Sequence, residues 1–312
     1  MLEGVSKSFF HLLAGSRTLQ RLASRFGMRK PTSFARRFIA GETLPEAIEA
    51  ARAVEARGLL LTLDHLGENV TNLAEADAAT REYLAIFQAI VASGVSRNIS
   101  LKLTQLGLDV DKAIAVDNLR RILERGEPTD FFVRLDMESS HYTELTLEIF
   151  EMLWHQGYRK FGVVLQAALR RSEQDLQRLN ALGARIRLVK GAYTESRAVA
   201  YHRKADVDAA FARMAEELIA KGHYPALATH DEGMIDRTRR WASEHGVAPD
   251  QFEFQMLYGV RRDLQARLVG AGYRVRLYIP FGRQWFPYFM RRLGERPANV
   301  AFVVRSLFGE DR

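Results

Sequence analysis

Cysteine is absent from all 312 residues. Its absence excludes disulfides, cysteine-ligated zinc, thiolate nucleophiles and iron–sulfur ligation, and it fits a reducing compartment. The 8 prolines and 22 glycines are scattered, which excludes low-complexity disorder. No run approaches the roughly 18 unbroken apolar residues of a membrane span. There is no G-x-G-x-x-G dinucleotide loop, no Walker A sequence and no G-x-S-x-G elbow. The eight histidines show no H-E-x-x-H or paired-ligand spacing, so no metal site is expected. Acidic residues are missing from residues 4–41, where eight cations stand: Lys7, Arg17, Arg21, Arg25, Arg29, Lys30, Arg36 and Arg37.

The remaining composition is ordinary for a globular chain, with 47% hydrophobic and 27% charged residues. The net charge of +7 points to anionic partners: nucleic acid, acidic lipid, or an anionic cofactor or substrate. In the acid-free stretch, Leu19, Leu22 and Phe26 recur at helical spacing, as do Arg17, Arg21 and Arg25. The first reading is a basic helical arm, residues 1–43, packing on the body or on a neighbouring subunit. A second, compatible reading is peripheral contact with an anionic membrane. A targeting segment is the third.

Residues 44–312 read as one barrel domain. β-Rich runs cover 59–66, 98–106, 130–138, 160–166, 186–193, 226–230, 252–258 and 275–282. Most are expected to be apolar on both alternating faces. Helical patterns lie around 73–93, 112–124, 143–157, 172–181, 205–221, 232–245, 261–269 and 284–294, with Thr143 and Ser172 as expected caps. Eight alternating units predict an α/β fold, a closed (βα)8 barrel of the TIM type carrying an N-terminal helical arm. An open doubly wound sheet is the alternative, and it would more often carry a glycine-rich loop after its first strand.

Barrel enzymes place their chemistry at the C-terminal ends of the strands. The polar residues expected there are Lys102, Asp136 with Met137, Gln166, Arg187 followed by Lys190, Gly191, Ala192 and Tyr193, then Thr229, His230 and Asp231, then Glu253 with Gln255, and Tyr278. A lone charge in an apolar strand is costly unless paired or bound to a ligand. Any one of them could belong to a buried ion-pair network, and His230 could be an ordinary core histidine. Seven polar strand ends on one rim favour a binding site. Beyond the last strand, Tyr288, Arg291, Arg292 and Glu295 share one helical face. The two guanidinium forks suit a carboxylate or a phosphate, with Glu295 holding them.

At these residues the chain resembles proline dehydrogenase. The matching strings are Ser-Leu-Lys-Leu-Thr-Gln-Leu-Gly (100–107), Val-Arg-Leu-Asp-Met-Glu (133–138), Ile-Arg-Leu-Val-Lys-Gly-Ala-Tyr (186–193), Ala-Thr-His-Asp (228–231), Phe-Glu-Phe-Gln-Met-Leu-Tyr-Gly (252–259), Tyr-x-Pro-x-Gly (278–282) and Tyr-x-x-Arg-Arg-x-x-Glu-Arg-Pro (288–297). They cover roughly 36–309 in order, in the pattern of the short monofunctional bacterial form. The resemblance implies a distorted barrel holding FAD non-covalently. It also implies oxidation of L-proline to Δ1-pyrroline-5-carboxylate in proline catabolism, with electrons passed to a membrane quinone. Carried over by position, Asp136 and Arg187 are the catalytic pair. Lys102, Arg291 and Arg292 take the substrate carboxylate, and Tyr278 and Tyr288 wall the ring, with Leu257 a weaker match. Met137, Gln166, Lys190, Gly191, Ala192, Thr229 and His230 line FAD, and Lys204 is a looser match. Thr194 departs from the pattern, since the bifunctional relatives carry Trp there.

The implied setting is cytoplasmic, peripheral on the inner face of the membrane, with no nucleic-acid partner and the oligomeric state left open. A preference for 4-hydroxyproline or another cyclic imino acid is the first alternative. A Schiff-base lyase using Lys102 or Lys190 as nucleophile is a rival from another class. A non-catalytic basic protein is a third, and it would need no polar rim of this kind.

Overall fold

The computed structural model describes residues 28, 33–67 and 70–295, with Phe34 and 293–295 described as backbone alone. A helix α1 (Leu44–Glu55) leads into β1 (Leu60–His65). There follow α2 (Leu73–Ser93), β2 (Asn98–Leu101), α3 (Lys112–Gly126), β3 (Phe132–Leu135), α4 (Ser140–His155) and β4 (Phe161–Gln166). The chain continues through α5 (Ser172–Ala181), β5 (Arg185–Val189), α6 (Lys204–Lys221), β6 (Ala226–Ala228), α7 (Glu232–Glu244) and β7 (Glu253–Leu257). It then forms α8 (Arg262–Gly270), β8 (Arg274–Phe281) and α9 (Trp285–Glu295). The strands pair in parallel in chain order, and β8 closes on β1, giving the expected (βα)8 barrel.

The register explains which residues fill the barrel. Thr62 lies opposite Tyr278, Asp64 opposite Ser100, Ser100 opposite Arg134, Val164 opposite Arg187, and Gln255 opposite Arg276. Side chains alternate faces along a strand, so these residues, all polar but Val164, form one set and their neighbours the other. The other set is Leu61, Leu63, Ile99, Leu101, Val133, Leu135, Val163, Leu165, Ile186, Leu188, Leu227, Phe254, Met256, Val275, Leu277 and Ile279, all within one apolar core. This corrects the expectation of strands apolar on both faces. The outward face packs on the helices, whereas the inward face is largely polar.

Deep in the barrel the buried guanidiniums are held by a carboxylate and by main-chain carbonyls. Arg276 donates to Glu253 at 2.7 and 3.0 Å and to the Leu61 carbonyl at 2.6 Å. Arg134 donates to the carbonyls of Val163 and Arg185. Gly162 makes the room, because a Cβ there would lie 2.6 Å from Arg134 Nη1 and would also meet the Arg185 carbonyl. Burial pushes the Glu253 carboxyl up, but Arg276 outweighs it and keeps the group ionised.

Several boundaries differ from the sequence reading. β2 stops at Leu101, because Lys102 opens a 3-10 turn at Thr104–Leu106. β5 stops at Val189, and the Lys190 carbonyl then accepts from Ala168 in the loop after β4. Thr143 lies inside α4, whose N-cap is Ser139. Ser172 is the first residue of α5 rather than its cap, and its hydroxyl donates to the Gln166 carbonyl. Helix α1 has no counterpart in the predicted helices.

The chain before α1 packs on α9. Met28, Ala35, Phe38 and Ile39 form a second apolar cluster with Trp285, Phe286, Tyr288, Phe289 and Met290. Trp285 Nε1 donates to Glu42 at 2.9 Å. The rest of the basic stretch, residues 1–27 and 29–32, lies outside the described residues. Among the described residues no helix is long and apolar enough to cross a membrane.

Glu46 fastens this approach to the barrel. Its carboxylate accepts from Arg36 at 2.5 Å, from the Glu42 and Thr43 amides at 2.9 and 3.0 Å, and from the Thr43 hydroxyl at 2.9 Å. Burial opposes the charge, but these donors outweigh it and hold the carboxyl down at about 2. A lowered carboxyl stabilises the fold above its unfolded value of about 4.3 and loses that contribution as pH falls toward the folded value. Glu46→Gln should therefore lower stability at pH 7 by about 1 kcal/mol, the scale of a lost cap. The gap in Tm should narrow between pH 5 and pH 3, and a gap independent of pH would refute this account.

Candidate active site

Asp136 is the first residue past β3, and its amide is held by the Leu101 carbonyl at 2.9 Å. Its carboxylate organises the barrel mouth. Oδ1 accepts from Arg187 at 2.7 Å and Oδ2 accepts from the Tyr278 hydroxyl at 2.8 Å. Lys102 Nζ stands 3.8 Å from Oδ2. Arg187 is fixed on three sides, since it also donates to Gln255 at 2.6 Å and to the Ser100 hydroxyl at 3.1 Å. Its guanidinium lies 5.5 Å from the Tyr278 ring centre. Burial, with Asp136 and Asp64 nearby, drives the Tyr278 hydroxyl well above the usual tyrosine range, so it is a hydrogen-bond donor throughout the neutral range.

Four sequence-predicted residues are thus brought into one cluster: Lys102, Asp136, Arg187 and Tyr278. Glu253 is not at the rim. It opens β7 at the opposite end and pairs with Arg276, so its place among the polar strand ends is corrected. Asp64 was absent from the sequence-based set. It ends the inward series of β1, is fully buried, and lies 3.8 Å from Lys102 Nζ. The signal was a lone acid in Leu-Thr-Leu-Asp-His, the same kind of signal that singled out Lys102.

The ends of β4, β5 and β6 form an adjoining ledge. Gln166 is buried and its side-chain amide donates to the Glu138 carbonyl at 2.8 Å. Gly191 turns the chain at φ +113°, where a Cβ would lie 3.1 Å from that of Ala168 and 3.3 Å from Gln166 Oε1. Gly191, Ala192 and Thr194 are exposed. This loop is anchored by Glu195, which accepts from the amide and hydroxyl of Ser140 at the start of α4. It is anchored again by the pairing of Ala200 with Leu169.

Lys190 donates to Asp208 at 2.5 Å and to Asp231 at 2.8 Å. Burial pushes Asp231 up, but Lys190 prevails and brings it to about 2. Lys204 closes the same four-charge group, bonding Asp208 and lying 3.5 Å from Asp231. The Thr229 hydroxyl accepts from the Asp231 amide at 3.1 Å. His230 Nε2 accepts from the Leu257 amide at 2.9 Å, so in the neutral ring the proton resides on Nδ1. Met137 is buried beside Asp136.

On α9, Tyr288 is buried and Arg291 and Arg292 are half-buried. The Arg292 guanidinium lies 5.1 Å from the Tyr288 ring centre. The Glu295 side chain and residues 296–297 of the same motif lie outside the described residues. Among the described residues no group of three or more histidines and acids is arranged to hold a metal ion.

Fold and site together define a (βα)8-barrel enzyme with a charged, tyrosine-walled mouth. The comparisons with known proteins give the family. A family model described as proline dehydrogenase matches residues 47–305. The chain is 40% identical over 303 residues to proline dehydrogenase 2 of Bacillus subtilis (strain 168), covering 97% of this chain and 99% of that one. It is 41% identical over 283 residues to a proline dehydrogenase of Deinococcus radiodurans, covering 89% and 91%. The crystal structure of proline utilization A (PutA) from Bdellovibrio bacteriovorus inactivated by N-propargylglycine superposes with a TM-score of 0.79 at 28% identity. That match covers 89% of this chain and 34% of that longer one. The chain belongs to the proline dehydrogenase family, and so to the oxidoreductases of proline catabolism.

Removing one partner of a buried ion pair leaves an uncompensated charge and costs about 3–5 kcal/mol. Arg187→Met should therefore destabilise the fold by about 3 kcal/mol or more in urea and thermal melts. Adding Asp136→Leu should recover part of that loss, as expected for coupled neighbours. Strictly additive losses would show that the pair is not coupled.

Proposed function

We propose that the chain oxidises L-proline to Δ1-pyrroline-5-carboxylate, with non-covalently held FAD as electron acceptor and a membrane quinone beyond it. The observation that carries this reading is the fixed cluster of Lys102, Asp136, Arg187 and Tyr278. The ledge residues suit the cofactor. FAD needs donors for the polar edge of a flat ring and cations for its pyrophosphate. Gln166, Thr229, His230 and the open backbone at Gly191 and Ala192 supply the first kind, and Lys190 with Lys204 the second. Met137 offers an apolar contact. Held there, FAD would supply the hydride-accepting chemistry, and these residues would hold it.

The chain's own task is orientation. Proline is a compact zwitterion, and Lys102, Arg291 and Arg292 would clamp its carboxylate. Tyr278 and Tyr288 would wall the ring, and Tyr278 can serve as a rigid wall because its hydroxyl is fastened to Asp136. Arg187 needs no reorganisation to stabilise negative charge developing at the ring edge, since Asp136, Gln255 and Ser100 already hold it. Fixing reactants in an attack geometry can account for several orders of magnitude in rate. The basic segment, residues 1–43, is proposed to lay the enzyme on an anionic membrane through its cations upstream of Arg36, and the run of eight cations without an acid in 4–41 supports this.

Two measurements test the reading. The purified chain should show flavin absorption bands that bleach when L-proline is added without oxygen. Bands that respond to another cyclic imino acid instead would redirect the substrate, and a colourless chain that FAD cannot reconstitute would overturn the proposal. Separately, Arg292→Ala should raise the KM for proline at least tenfold with FAD still bound. Truncating one partner of a buried charge pair costs about 2–5 kcal/mol, so an unchanged KM would remove Arg292 from the site.

A further inference from the structure

Asp64 lies at the mouth, and the proposed reaction does not use its chemistry. Its side chain is buried among four elements. Lys102 faces it from the turn after β2, Asp136 from the end of β3, Tyr278 from β8 and Tyr83 from α2, with His65 beside it on β1. Asp136 is satisfied by Arg187 and Tyr278. Among the described residues the ion-pair contact of Asp64 is Lys102 at 3.8 Å, and the Tyr278 hydroxyl that faces it is bonded to Asp136 at 2.8 Å. Lys102 is therefore shared between two carboxyl groups that sit 3.8 Å from it on different strands. With so little exposed surface, Asp64 acts on a ligand only through Lys102.

We propose that Asp64 is a positioning residue that exchanges a proton with ligand occupancy: it takes up a proton when a carboxylate binds at Lys102, and its ionised form holds Lys102 back from the ligand. The inference rests on the reading of Lys102 as a carboxylate-binding residue. The physical basis is competition for one cation. An ionised Asp64 draws the ammonium toward the barrel axis and repels an incoming anion, whereas a protonated Asp64 leaves the ammonium charge to the ligand. Binding and protonation then favour each other, and by linkage the effect is reciprocal. Burial drives the Asp64 carboxyl upward, with Asp136 adding to the rise and Lys102 opposing it. Burial lowers His65, so that ring is neutral near pH 7, and burial raises Tyr83 and Tyr278.

The test uses the flavin-loaded enzyme and cyclopentanecarboxylate, a ring carboxylate of proline's size with no nitrogen to titrate. Calorimetry in buffers of different ionisation enthalpy reads the protons taken up per ligand bound. The unmutated enzyme should take up as much as one proton per ligand bound at some pH within its stable range. Its Kd should rise by up to about tenfold per pH unit there, the limiting slope of one linked proton. Asp64→Asn, which imitates the protonated acid in shape and charge, should lose the uptake and bind with a Kd that is low and flat with pH. Asp64→Ser, smaller and equally uncharged, serves if the asparagine variant does not fold. No uptake in the unmutated enzyme overturns the proposal without any variant. Uptake that persists in Asp64→Asn overturns it too and assigns the proton to another group of the mouth. Absence of any cyclopentanecarboxylate binding to the unmutated enzyme refutes the carboxylate site as well as this inference.

Discussion

The ion pair of Asp136 with Arg187 ties the inside of the barrel together. From Arg187 the polar chain runs down through Gln255 to Glu253 and Arg276, and up through Asp136 to Tyr278 and Lys102. Ser100 and Thr62 branch from it toward β1, their hydroxyls 3.4 Å apart. Six strands contribute, from β1 to β8, so the chain crosses most of the ring. Such a network is a poor source of stability, because buried pairs recover little more than their desolvation cost. It has a different use. Each member is held by the next, so Lys102 and Tyr278 are poised before any ligand arrives.

Stability comes from the other face. Leu61, Leu63, Ile99, Leu101, Val133, Leu135 and their equivalents on β4–β8 pack against the helices in one continuous core. Burying such a side chain contributes about 1.5–3 kcal/mol. Strand alternation thus separates two tasks with a single pleat. The outward residues hold the barrel closed, and the inward residues carry charge that the outward residues make tolerable. A one-residue slip in any strand would exchange the two sets, so this register is strongly specified.

The strand–helix alternation was legible in the sequence because each unit pairs a short β-rich run with a periodic segment. Lys102, Asp136 and Arg187 were legible as lone charges in apolar strings. The division of faces was not, because runs such as Leu-Leu-Thr-Leu-Asp-His mix threonine and leucine in a way that fits burial on either side. Asp64 escaped for that reason. Glu253 was misplaced because a polar residue in a strand does not announce which end it occupies, and β7 begins at Glu253 itself. Helix α1 did carry a signal, Thr43 with Pro45 and Glu46, which is a capping box with proline in the first turn. The pairing of Met28, Ala35, Phe38 and Ile39 with α9 had no local signal, since the two segments lie more than 240 residues apart.

That long-range pairing bears on the chemistry. At its mouth the closed barrel sets its cations against carboxyl groups, Arg187 against Asp136 and Lys102 between Asp64 and Asp136. A site selective for a carboxylate gains from positive charge beyond what the barrel strands supply. In the proposed site that charge arrives on α9, which lies outside the ring of strands and is not held by strand pairing. Its position is set by Phe38 against Phe289, with ring centres 6.3 Å apart, by Ile39 and Met28, and by Glu42 on Trp285. Glu46 in turn fixes residues 36 and 42–43 to α1. The segment before the first helix is therefore part of the machinery that presents Arg291 and Arg292, although it contributes no group to the mouth. Membrane contact by the basic residues upstream would act on the same segment, and so on the helix that carries the proposed substrate clamp.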